Sequence, residues 1–112
     1  MNKIKFNQNW NNKLDNNIFT TIRKNTYTKE IYYEENTNKE FEIILTGKKY
    51  GECKLLGFKV VEWYHLINNF EPLLLVDTGL YYQDAIKVFE NFYGKIKESQ
   101  DMIILIFAKV KK

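Results

Sequence analysis

Of the seventeen basic side chains in this chain one is an arginine, Arg23, and all the others are lysines. Lysine serves solubility equally well. The planar guanidinium is needed where a carboxylate, a phosphate or a base edge is gripped in two places. Arg23 follows Thr21 by two residues in Ile18-Phe19-Thr20-Thr21-Ile22-Arg23-Lys24, a stretch that alternates over a strand's length. Period two sets Ile18, Thr20, Ile22 and Lys24 on one face, and Phe19, Thr21 and Arg23 on the other. Thr21 and Arg23 are therefore candidate ligand-binding residues. The competing reading is an arginine paired with a carboxylate at the edge of the core.

Other residues invite chemistry less strongly. Asp77-Thr78-Gly79 follows four apolar residues, as in aspartic proteases, but Leu80 stands where those enzymes place a small residue. One helix and one strand remain downstream, too few to finish such a lobe. Asp77 is instead expected to cap the helix that follows, or to pair with Arg23. His65 is the only histidine and Cys53 the only cysteine, so no zinc site is expected. His65 reads as a partly buried core residue and Cys53 as an inert mid-strand thiol. No Gly-rich phosphate loop or Walker sequence points to a cofactor. Lys48-Lys49-Tyr50, on a turn, and Lys24, Tyr27, Lys29, Tyr32 and Tyr33, beyond the arginine strand, are basic-aromatic clusters suited to phosphates and bases.

The elements that must hold these residues follow from periodicity. Lys3 to Phe6 reads as a short strand. Asn7 to Asn17 reads as a short, ragged helix with Trp10, Leu14 and Ile18 at spacing four. Asn25 to Lys39 lacks a clear period and reads as a long loop. Phe41 to Thr46 and a longer arm from Tyr50 to about Trp63 form a hairpin around Gly47-Lys48-Lys49. Gly51 and Gly57 mark bends or bulges in a curling sheet. His65 to Phe70 reads as one helical turn closed by Pro72, and Leu73 to Val76 as too short for a helix of its own. Tyr82, Ala85, Ile86, Phe89, Phe92 and Tyr93 make the clearest amphipathic helix, stopped by Gly94. Met102 to Ala108 is an unbroken apolar run, a strand buried on both faces.

The chain has 112 residues, a net charge of +3 and an aromatic content of 16%. This suggests one folded domain, 1–112, mildly basic, with more tyrosine than a core of this size can hold. One cysteine, no apolar leader and no run of membrane-spanning length suggest a reducing, cytoplasmic setting.

In this order the elements resemble the ASCH domain of the PUA-like superfamily. The likeness rests on a helix leading into Phe19-Thr20-Thr21-Ile22-Arg23, the Tyr50-Gly51 strand, and Asp77-Thr78-Gly79 followed by a helix ending in Phe92-Tyr93 and an apolar last strand. The resemblance implies an α+β fold: a small, curled, mixed β-barrel of five to six strands with two to three short helices. It also implies a cleft between barrel and helices that binds RNA, with Arg23 on its wall, and Thr21 and Arg23 are the positions that carry over; Lys24, Tyr27, Lys48, Asp77 and Tyr81 are expected as further contacts from their own chemistry. Some relatives are amidohydrolases of N4-acetylcytidine with a nucleophilic lysine three residues before the strand threonine. Ile18 stands there, so the nucleophilic group of those relatives is expected to be missing. Glu52 and Glu62 are candidates for the family's acidic residue. A small RNA-binding module is therefore the leading expectation. The alternatives are a binder or hydrolase of a modified nucleoside, and a protein-interaction module of viral or mobile-element origin.

Overall fold

The computed structural model describes residues 2–69, 71–80 and 82–110. Five strands, β1 (Asn2–Phe6), β2 (Ile18–Lys24), β3 (Glu40–Leu45), β4 (Lys48–Glu62) and β5 (Asp101–Lys109), form one sheet in the order β1-β3-β4-β5-β2. β1 runs parallel to β3, and the other neighbours are antiparallel. A 3-10 turn covers Trp10–Asp15. Four α-helices follow in chain order: α1 (Tyr27–Glu35), α2 (Trp63–Asn69), α3 (Glu71–Thr78) and α4 (Tyr82–Tyr93).

β5 explains why the sheet has a core on each side. It lies between β4 and β2 with both edges paired, and a hydrophobic core covers each of its faces, so its sequence needs no alternation. Ile103, Leu105 and Phe107 join the core inside the curl with Ile4, Phe41 and Leu55. Met102 and Ile104 face the other way and pack with Trp63, Leu66, Leu74 and Phe89 of α2–α4. β2 shares the division, since Phe19 belongs to the first core and Ile22 to the second.

The sheet curls but is not a closed barrel. Its edge strands β1 and β2 are not paired with each other in the described sheet. The pairing register shifts between Ile43 and Ile44, opposite Gly51 and Lys49, and again between Leu55 and Gly57. Both shifts fall beside the glycines that mark bends in the sequence, and bulges of this kind increase local twist. A line of rings fills the curl: Phe6 and Phe19 are 6.2 Å apart between centroids, Phe19 and Phe107 5.4 Å, and Phe107 and Phe41 5.4 Å.

Several expectations need correction. Among the described residues there are five helical segments, more than two to three. The expected loop at Asn25–Lys39 holds α1: the Thr26 side chain caps it by accepting from the Lys29 N–H, and Tyr33 stacks on Phe41. Pro72 opens α3 instead of closing a turn, because a proline in the first turn gives up no intrahelical hydrogen bond. Asn7–Asn17 holds only the 3-10 turn, broken by Asn11 and Asn12 in the left-handed region (φ 56 and 53). The hairpin reverses at Thr46-Gly47, so Lys48 already belongs to β4. His65 is exposed, 3.8 Å from Glu62, and is no core residue.

Cys53 is fully buried in β4, and that burial pushes its thiol from 9.0 to about 12. The native protein is therefore expected to resist iodoacetamide at mildly alkaline pH and to react once unfolded, as mass spectrometry would read. The unfolded chain releases this proton first. The Cys53 contribution to stability is thus present below the ordinary thiol range and falls as pH rises toward about 12.

Candidate functional site

A pocket of about 240 Å³ opens where the exposed edge of β2 meets the end of β1, the 3-10 turn, the end of α3 and α4. Its polar groups include Thr21, Arg23, Asp77 and Lys13; Phe6, Trp10, Phe89, Phe92 and Tyr93 supply aromatic walls. Three of the residues singled out in the sequence, Thr21, Arg23 and Asp77, are brought together here.

Arg23 is not sealed against an acid. Its Nε donates to Thr21 Oγ1 at 3.3 Å and its Nη2 to the Lys5 carbonyl at 2.6 Å. Its guanidinium carbon lies 4.9 Å from the centre of the Phe6 ring. Thus Arg23 of one edge strand holds the opposite edge strand, β1, where ladder hydrogen bonds would close a barrel. A guanidinium offers five N–H donors, and these two contacts leave an edge of the fork open among the described residues. Burial lowers the Arg23 pKa; the nearby Tyr33, Tyr93 and Asp77 counter the effect.

Asp77 departs from both expectations. It lies in the last turn of α3, neither capping α4 nor paired with Arg23. Its Oδ1 accepts from Lys13 Nζ at 2.8 Å and from Thr20 Oγ1 at 3.3 Å. The carboxylate also accepts from the Ile22 backbone N–H, an open donor of the β2 edge. Lys13 and Asp77 are 4% exposed each. Burial pushes the Asp77 carboxyl up and the Lys13 amine down, and each partner pulls the other back toward its charged form.

Lys13 is the residue that sequence reasoning missed. It reaches the pocket from outside the strand, because the left-handed Asn11 and Asn12 swing the chain inward. Left-handed asparagine is tolerated where other side chains are strained. Asn11 Nδ2 donates to the Val76 carbonyl and so ties the turn to α3. Gly79 (φ +75) completes the fit, since a Cβ there would stand 3.2 Å from Asn11. The signal in the sequence was the run of asparagines around one lysine.

The remaining candidates lie elsewhere. Tyr27, 81% exposed, borders a second hollow with Asn25, Glu30 and Asp101. Lys24 ends β2 and Lys48 begins β4, and neither lysine lines either hollow. Tyr33 is buried, and Tyr32 donates its hydroxyl to Asn2 Oδ1. Glu52 is buried beside Lys49, and neither it nor Glu62 lines the pocket. Tyr81 lies outside the described residues. Among the described residues no group of three or more His, Cys, Asp or Glu side chains is placed to hold a metal ion, and no helix is long and apolar enough to cross a membrane. The chain matches no protein-family model, no curated protein and no solved structure.

Proposed function

We propose that this chain is an ASCH-type RNA-binding module whose pocket receives one unpaired base or nucleotide of a single strand. One observation carries the reading: the only arginine lines an aromatic-walled hollow with N–H donors beyond its two hydrogen bonds and no carboxylate partner among the described residues. Lys5, Lys13 and Arg23 line that hollow against the single acid Asp77, so an anionic group is welcome there. The volume lies below the roughly 300–1,000 Å³ of drug-sized sites, which suits one nucleotide unit. The curled sheet, the Arg23 strand and Asp77-Thr78-Gly79 ahead of α4 support the ASCH assignment.

Titrating fluorescent single-stranded RNA at two salt concentrations tests this. Wild type binds and weakens with salt; Arg23→Ala loses about 1.5–3 kcal/mol, the range for a hydrogen bond to a charged group. Absence of wild-type binding at low salt removes the reading.

A second reading, binding or hydrolysis of a modified nucleoside, is favoured by Lys13 and Asp77 at the same pocket, with Thr20 donating its hydroxyl to Asp77. Cytidine release from N4-acetylcytidine would support it and displace the first.

A further inference from the structure

The second hollow is built from the residues that follow β2. Asn25, Thr26, Tyr27 and Glu30 line one side; Ser99, on the connection from α4 to β5, and Asp101, which opens β5, line the other. Its volume is about 390 Å³. Asn25 is 7% exposed, and its amide orientation is set because Nδ2 donates to Glu30 Oε1 at 3.0 Å. That leaves Asn25 Oδ1 as a buried acceptor with no hydrogen-bond partner among the described residues. Buried acceptors are nearly always satisfied, and an unsatisfied one is costly. Beside it stands Tyr27, 81% exposed, an aromatic surface with little packing to do where it is.

The two hollows are neighbours along the chain on both sides. Arg23 lines the first and Asn25 the second, two residues apart where β2 ends. Tyr93 closes α4 at the first, and Lys97 follows at the second. Two extended residues span roughly 6.6 Å, a step short enough for neighbouring nucleotides of one strand.

We propose that the Asn25 hollow is a second base subsite for the same single strand, selecting a base with an exocyclic amino group, adenine, cytosine or guanine, over uracil. The amino group donates to Asn25 Oδ1, and the base stacks on Tyr27. Uracil presents no amino group, and its one ring donor, N3–H, is flanked by two carbonyl oxygens that the Glu30 and Asp101 carboxylates of the hollow repel. This rests on the RNA reading above but makes a separate demand on base identity.

The test is fluorescence anisotropy with labelled rA, rC and rU oligonucleotides of about ten residues. Wild type is expected to bind rA and rC about three- to tenfold tighter than rU, the worth of one net hydrogen bond. Asn25→Ala should erase that preference and leave rU affinity nearly unchanged. Tyr27→Ala, at an exposed position, should weaken all three without unfolding the protein, as circular dichroism would confirm. Equal wild-type affinity for the three oligomers overturns the subsite and leaves the RNA reading standing. A preference that survives in folded Asn25→Ala also overturns it. Failure of every oligomer to bind removes the subsite together with the RNA reading.

Discussion

Lys13→Met is expected to destabilise the protein by about 3–5 kcal/mol, measured as the change in urea unfolding free energy. The substitution keeps the length of the side chain and removes its charge. Asp77 is then left 4% exposed with no cation. Its remaining donors, Thr20 Oγ1 and the Ile22 N–H, are neutral and cannot replace an ammonium at 2.8 Å. Against a typical total of about 5–15 kcal/mol, the loss is large enough to unfold much of the protein. Adding Asp77→Asn should restore about 1–3 kcal/mol, since the amide oxygen still accepts from Thr20 and Ile22 while the stranded charge is gone. A loss below about 1 kcal/mol for Lys13→Met would show that the pair is not held as a buried ion pair. The same double variant separates the two functional readings. Arg23, Lys5 and the aromatic walls survive in it and one positive and one negative charge are lost together, so RNA binding should persist, whereas hydrolysis that uses Lys13 would vanish.

How far the sequence reveals this arrangement depends on whether a signal is local. The period-two stretch around Arg23 and the unbroken run of β5 are local, and both strands are found where they were expected. The bends at Gly51 and Gly57 are local too, and they coincide with the register shifts. α1 was hidden because only Tyr33 of its nine residues is buried, so it carries no apolar stripe to find. α3 was hidden because its apolar run, Leu73 to Val76, looks the same as a short strand, and Leu74 alone is fully buried. The open sheet is a tertiary fact: the edge strands meet through Arg23 and the Lys5 carbonyl, a contact 18 positions apart along the chain. The Lys13–Asp77 pair, separated by 64 positions, is beyond any spacing rule. At the pocket, then, strand alternation identified Thr21 and Arg23, and packing alone supplied Lys13.

Phe107→Ala should cost about 3–5 kcal/mol, read by the same urea titration. Phe107 is 0% exposed in β5, and its ring meets Phe19 and Phe41, each at 5.4 Å, from two different strands. Neither neighbour can collapse far into the gap, because Phe41 is held by Tyr33 of α1 and Phe19 by Phe6 of β1. Phe92→Ala, at a position 53% exposed, removes the same ring at a cost within about 0.5 kcal/mol. The contrast separates a ring that fills the curl from one that forms the pocket wall. The buried substitution also reaches the site. Phe6 carries the Arg23 guanidinium on its ring and rests on Phe19, which rests on Phe107. A cavity at the end of that line lets Phe6 shift and slackens the contact between the two sheet edges. Folded Phe107→Ala is therefore expected to bind RNA more weakly than wild type, although residue 107 touches no part of the pocket. Unchanged affinity in the folded variant would show that Arg23 is held by Thr21 and Lys5 without help from the ring line.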